Sequence, residues 1–135
     1  MADRPAPAAS PTVLDWVVAA ARAAAAKSGA RTLVLDVSEV LSITGWFVIT
    51  SGANARQVKT IAEEVEERVA DGGGPRPRRI EGLDGLRWVL MDYGDFVVHV
   101  FLDEERDYYE LERLWSDVPR VDWAAADRED PAVGE

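Results

Sequence analysis

The sequence predicts an α/β fold in which helices flank a mixed β-sheet. Stretches with apolar residues at positions i, i+3, i+4 and i+7 predict helices, and short apolar runs rich in β-branched residues predict strands. These segments follow the order helix, strand, strand, helix, strand, hairpin, helix. With 135 residues and 47% apolar content, the chain is large enough for one domain with one core.

The first predicted element is a helix from Val13 to Ser28. Thr12 and Asp15 form a capping-box pattern, because the hydroxyl can accept an amide hydrogen of the first turn while the carboxylate lies at the positive end of the helix dipole. Gly29 is expected to end this helix.

Two strands are predicted next. The run Arg31–Val37 is short, apolar and rich in β-branched residues, which is typical of a strand buried on both faces. After a polar turn around Ser42, the run Trp46–Thr50 has the same character and predicts a second inner strand.

A second helix is predicted to begin after Asn54. Asn54 and Gln57 have the spacing of an N-cap pair, and apolar residues recur at helical spacing from Val58 to Val69. The opposite face is charged, which is typical of a solvated surface. The run Gly72–Gly74 is expected to break the helix.

The next segment predicts a weak strand and a hairpin. Arg79–Glu81 is the weak strand, and the apolar runs Trp88–Asp92 and Phe96–Leu102 pair naturally across a reversal at Tyr93-Gly94.

The chain then predicts one last helix with a core-facing stripe. At 100° per residue four apolar or aromatic side chains fall within about 120° of arc: Tyr108, Leu111, Leu114 and Trp115. Tyr109 lies off this stripe, and a large aromatic turned away from a core often marks a contact surface.

The composition excludes several kinds of chemistry. The chain has no cysteine and one histidine, which removes disulfides, thiolate catalysis and Cys-ligated metals and argues against a His-built metal site or a catalytic triad. The net charge of −10 repels a phosphate backbone, so we expect a basic protein partner and little direct contact with RNA.

The ends of the chain differ from its middle. Residues 1–11 predict a flexible Pro/Ala-rich leader, and residues 117–135 an acidic, largely disordered tail, with packing of Trp123 against the domain left open. The apolar stretch Thr12–Ala26 is too short and too charged to span a bilayer, and the leader lacks a targeting signal. We therefore expect a cytoplasmic protein.

Candidate catalytic groups are few. Ser51-Gly52 has the strand-to-helix layout that can hold phosphate, but without a glycine-rich phosphate motif a plain turn is favoured. Nucleotidyl transfer requires paired carboxylates on magnesium, and the nearest pair, Asp92 and Asp95, is assigned to the hairpin turn. His99 is favoured as a packed structural histidine over a general base. No catalytic, cofactor-binding or metal-ligating residue is assigned.

A group of residues remains that neither core nor capping explains. It comprises Trp88, Tyr109, Glu110 and the hairpin tip. Aromatic residues framed by acids suit a protein interface whose other side is basic. The sequence therefore favours a binding module over an enzyme.

An ordered series of short motifs resembles the ribosomal silencing factor family, RsfS or Iojap. The series covers about residues 12 to 116 and consists of Leu35-Asp-Val37, Ser42-Ile-Thr44, Thr50-Ser-Gly52, Arg56-Gln-Val58, Ile61-Ala62, Glu81-Gly82, Trp88, Asp92-Tyr-Gly-Asp95, Val98-His-Val100 and Tyr108-Tyr-Glu-Leu-Glu-Arg-Leu-Trp115. It departs from the family pattern at Gly45-Trp46, where an aspartate is usual.

The resemblance implies a fold like that of nucleotidyltransferases without their catalytic motif. It also implies a non-enzymatic translational repressor that forms homodimers, binds the large ribosomal subunit through its fourteenth protein and blocks subunit joining when nutrients are scarce. The implied partner-binding residues are Trp88, Tyr109, Asp92, Glu110 and Leu111. Two alternatives stay open: a magnesium-dependent nucleotidyltransferase-like enzyme and a homodimeric protein-binding scaffold.

Overall fold

The computed structural model describes residues 12–124. The predicted leader and residues 125–135 of the predicted tail lie outside the described residues. The helices are α1 Val13–Ala26, α2 Ala55–Asp71, α3 Asp103–Tyr109 and α4 Leu111–Leu114, and the strands are β1 Ala30–Asp36, β2 Trp46–Gly52, β3 Arg79–Glu81, β4 Trp88–Asp92 and β5 Phe96–Leu102.

Five strands form one mixed sheet in the order β1-β2-β5-β4-β3. β2 and β5 are parallel, whereas the other neighbouring pairs are antiparallel. The predicted α/β class with a mixed sheet is confirmed. The β4–β5 hairpin has the predicted bounds, and Gly94 at its turn has the left-handed φ of 86° that favours glycine.

Helices α1 and α2 cover one face of the sheet. Four alanines of α1 are buried there, and they pack with valine and isoleucine side chains of α2 and the strands. The opposite face of the sheet carries a smaller buried cluster, with α3, α4 and Trp115 on that side: Leu35, Val37, Phe47, Ile49 and Phe101. This second face holds the candidate site.

Helix α1 begins as predicted but ends two residues early. The Thr12–Asp15 capping box is formed in both directions. At the other end Ser28, not Gly29, adopts the left-handed conformation, with φ of 66°. Gly29 is needed for space instead, because a Cβ there would lie 2.5 Å from the Thr50 hydroxyl oxygen.

The prediction that β1 is buried on both faces is wrong. β1 is an edge strand, its first two residues are exposed, and its pairing with β2 is interrupted by a bulge between Ala30 and Leu33. A short apolar run does not distinguish a central strand from an edge strand that another segment covers. Here the chain after α4 provides that cover.

The segment after α4 runs beside β1. The amide of Asp36 donates to the carbonyl of Pro119 at 2.8 Å, and the amide of Val121 donates to the carbonyl of Val34 at 2.8 Å. The Trp123 indole donates to the carbonyl of Thr32 at 3.2 Å and packs against the main core. Residues 117–124, within the range assigned to the tail, are therefore part of the packed structure.

Candidate protein-binding surface

Trp88 is the first residue of β4 and lies on the second face of the sheet. It is directly opposite Phe101 in the β4–β5 register, and the two rings are 4.8 Å apart between centroids. The indole Nε1 donates to Nδ1 of His99 at 3.1 Å. These contacts fix a half-buried indole in one orientation.

His99 lies beneath Trp88 and is 5% exposed. Burial lowers the pKa of its imidazole from 6.5 to about 4, so the side chain is neutral at pH 7. The ring also packs edge-on against Phe47, with centroids 4.7 Å apart. The interpretation of His99 as a packed, hydrogen-bonded structural histidine is confirmed.

Tyr109 is the last residue of α3, and its ring connects the buried aromatic contacts of Trp88 with the protein surface. Its ring centroid lies 5.0 Å from that of Trp88, and the residue is 48% exposed. Phe101, Trp88 and Tyr109 thus form a continuous row from the buried cluster to solvent, which we call the aromatic row. A supported aromatic side chain that is half exposed is the kind of group that anchors protein interfaces.

The prediction of one last helix with a core-facing stripe is wrong in part. Glu110 has a left-handed φ of 51° and divides the segment into α3 and α4. Because this break changes the helical phase, Tyr108 and Leu114 are 80% and 77% exposed instead of core-facing. Leu111 and Trp115 do pack against the smaller cluster, as the stripe predicted.

Two further predicted site residues, Glu110 and Leu111, directly follow Tyr109. The Glu110 carboxylate is exposed and accepts a hydrogen bond of 2.5 Å from Arg113. Leu111 is half-buried in the cluster that Trp88 also contacts. Four of the five predicted residues are therefore in one region: Trp88, Tyr109, Glu110 and Leu111.

Asp92 lies apart from this group, at the other end of β4. Trp88 and Asp92 share a strand face, but four residues of strand separate them by about 13 Å. The Asp92 carboxylate accepts from the Gly94 amide at 2.8 Å and lies 3.7 Å from the Arg79 guanidinium. Its assignment to the hairpin turn is confirmed, and its place in an interface stays a prediction.

Sequence reasoning missed two supports of this surface, Phe101 and Arg106. Phe101 could have been found, because the predicted hairpin turn fixes the register that pairs it with Trp88. Arg106 is 1% exposed and donates to the carbonyls of Ala30 and Arg31 at 2.9 and 2.7 Å. The sequence does not show that a charged side chain of a short helix will point inward, so Arg106 could not have been found in this way.

The turn between β2 and α2 is occupied by its own side chains. Asn54 accepts from the Gln57 amide at 2.9 Å, and Gln57 Oε1 accepts from the Ala53 amide at 2.7 Å. The preference for a plain turn over an anion site at Ser51-Gly52 is consistent with this capping.

Residues 12–124 contain neither a cluster of metal-ligating side chains nor a helix that could cross a membrane. No group of three or more His, Cys, Asp or Glu side chains in that range is arranged to hold a metal ion. The helices of the same range are also too short or too polar to cross a membrane.

Comparison with known proteins gives a consistent set of relatives. A sequence model of the family described as "Ribosomal silencing factor during starvation" matches residues 10–134. Ribosomal silencing factor RsfS of Bacillus subtilis is 43% identical over 103 residues, which cover 76% of this chain and 86% of that protein. A crystal structure of a Chromobacterium violaceum protein superposes with a TM-score of 0.74 at 33% identity, covering 78% of this chain and 88% of the other.

A more distant relative comes from an animal. The mouse protein called "Mitochondrial assembly of ribosomal large subunit protein 1" is 33% identical over 86 residues, which cover 62% of this chain and 37% of the mouse protein.

Proposed function

This chain belongs to the ribosomal silencing factor family, and we propose from that membership that it represses translation by binding the large ribosomal subunit and keeping the small subunit away. The fourteenth protein of the large subunit is the proposed docking partner. The name of the mouse relative, which refers to the large subunit, supports the choice of subunit.

The aromatic row is the observation that carries the proposal. Tyr109 is half exposed, packs on Trp88, and Trp88 is itself held by His99. Such a pair loses little conformational entropy on binding, because its geometry exists before the partner arrives. We therefore assign the partner-binding site to Trp88, Tyr109, Glu110 and Leu111, with Asp92 at its margin.

Charge adds selectivity to this surface. The protein carries a net charge of −10, which repels ribosomal RNA and attracts a basic ribosomal protein. Two acids of α3 and its C-terminal end are paired, Glu110 with Arg113 and Glu105 with Arg87. The Glu110–Arg113 pair is exposed and therefore weak, so cations of the partner can compete for the Glu110 carboxylate.

Repression by this route is steric and requires only that the protein occupy space at the subunit interface. A domain of this length has a diameter of roughly 30 Å, and a body of that size at the subunit interface prevents the small subunit from docking. The proposal thus assigns the protein a non-enzymatic, cytoplasmic role. It also includes a free homodimer that uses the same aromatic surface and therefore competes with ribosome binding.

Sedimentation with separated ribosomal subunits tests the proposal. The protein should comigrate with the large subunit, and adding it before the small subunit should reduce the yield of joined ribosomes. Leu83→Ala is the matched background variant, since Leu83 is 46% exposed and lies in a cavity beside α2. Absence of comigration would contradict the proposal and favour a homodimeric scaffold. A rise in melting temperature that requires magnesium and nucleotide together would favour the nucleotidyltransferase-like enzyme.

A further inference from the structure

A cavity rich in arginine lies between the start of β1, the α3–α4 junction and the segment after α4. Its volume is about 510 Å³. The lining consists of Arg31, Arg106, Asp107, Glu110, Arg113, Ser116 and Arg120. Four arginines and two carboxylates give this cavity a positive balance, although the chain as a whole carries a charge of −10.

Arg106 forms the fixed part of the cavity. It is 1% exposed and donates to the Ala30 and Arg31 carbonyls and, at 3.3 Å, to the Ser51 hydroxyl. These bonds tie α3 to the start of β1 and fix the Arg106 guanidinium group in the lining of the cavity.

The other three arginines are available to a ligand. Arg31 pairs with Asp107 at 3.1 Å and Arg113 pairs with Glu110 at 2.5 Å, and all four side chains are at least 48% exposed. Ion pairs this exposed are worth little, so a ligand of higher charge can displace them. Arg120 has no side-chain hydrogen bond or ion pair within residues 12–124.

Two residues that line the cavity have an unusual backbone conformation, which is an observation separate from its charge. Arg31 and Glu110 both line the cavity and both have left-handed φ values, 50° and 51°. Non-glycine residues in this region store strain and cluster at binding and switch sites. The bulge of β1 next to the cavity is another feature common beside functional sites.

We propose that this cavity binds a phosphate group. Guanidinium groups bind phosphate through paired, charge-assisted hydrogen bonds, and arginines on different walls can meet the oxygens from several sides. The lining contains no aromatic side chain on which a base could stack. The phosphate itself is therefore the recognised group, and either a free nucleotide or an RNA backbone can supply it.

Calorimetric titration of the full chain at low ionic strength tests this site. The probes are pyrophosphate, GTP and a short oligouridylate. For whichever probe binds, Arg120→Gln should weaken the binding about fivefold or more, and Arg113→Gln should also weaken it. Arg56→Gln is the control, because it removes the same charge from an exposed position of α2 outside the cavity. Circular dichroism checks that each variant is folded.

If pyrophosphate and GTP bind and this binding depends on Arg120, the site is supported, and a small phosphorylated compound supplies the phosphate group. If the oligouridylate binds more tightly than the other probes and its binding also depends on Arg120, the site is supported, and RNA supplies the phosphate group. No binding of any probe, or an equal loss in Arg56→Gln, overturns the proposal. The titration contains no ribosome and leaves Trp88 and Tyr109 unchanged, so its failure is distinguishable from failure of the silencing function.

Discussion

The indole of Trp88 donates a 3.1 Å hydrogen bond to Nδ1 of the buried His99. The acceptor nitrogen cannot carry a proton, so the neutral imidazole holds its hydrogen on Nε2. The Tyr109 ring lies 5.0 Å beyond the indole. A buried histidine in the sheet thus positions the aromatic pair at the proposed docking surface.

The histidine makes stability depend on pH. Burial lowers the pKa of His99 from 6.5 to about 4, so the unfolded chain binds more protons than the folded one between those values. The free energy of unfolding should therefore fall as pH drops from 6.5 to 4, by at most about 3 kcal/mol from this group. Urea titrations across this range measure the effect.

The matched variant for this prediction is His99→Gln, which keeps a hydrogen-bond acceptor but cannot gain a proton. Its stability should fall less steeply with acid than that of the unmodified chain. Because the chain has a single histidine, the difference between the two curves isolates this residue from the carboxylates. Parallel curves would contradict the assignment.

Removing the exposed aromatic ring should weaken docking. Tyr109→Ala should lower affinity for the large subunit by about 2 kcal/mol or more, because a supported aromatic anchor is the typical interface hot spot. The fold should persist, since Tyr109 is 48% exposed. Binding assays with labelled protein measure the affinity, and Leu83→Ala should bind as the unmodified chain does. An unchanged affinity for Tyr109→Ala would remove this residue from the site.

Sequence reasoning located those elements whose signals are local. The Thr12–Asp15 capping box, the Asn54 cap and the β4–β5 hairpin follow from short-range patterns, and all three are present. The edge position of β1 depends on contacts with residues distant in sequence, and the break at Glu110 depends on one backbone angle. Neither feature produces a periodic pattern of apolar residues that could predict it.

The same distinction applies to the candidate site. Neither core packing nor helix capping explains Trp88 and Tyr109 in the sequence, which predicts a contact surface there, and the structure brings the two rings into contact. The family resemblance adds Asp92 to the site, although Asp92 lies at the far end of β4 from Trp88. The contribution of Arg106 depends on two backbone carbonyls 75 and 76 residues away in sequence, which only the folded chain brings near.

A close contact at the end of α1 predicts a stability defect. In Gly29→Ala the added Cβ would lie 2.5 Å from the Thr50 hydroxyl oxygen and 2.8 Å from the Ala24 carbonyl oxygen, so the helix end must shift away from β2. The free energy of unfolding should fall by about 1–3 kcal/mol, the range typical of overpacking. Gly85→Ala is the control, because a Cβ there meets no atom within 4 Å. Equal urea midpoints for the two variants would show that the contact relaxes without cost.

The charge at Glu110 should affect the rate of docking more than its strength. Glu110→Gln removes an exposed carboxylate beside Tyr109, so the association rate with the large subunit should fall about threefold at low salt and little at high salt. The dissociation rate should change little, because an exposed charge contributes weakly to the bound state. Stopped-flow mixing at two salt concentrations measures both rates. Glu67→Gln on α2 removes the same charge from a distant exposed position, and an equal slowing in that variant would show that only net charge matters.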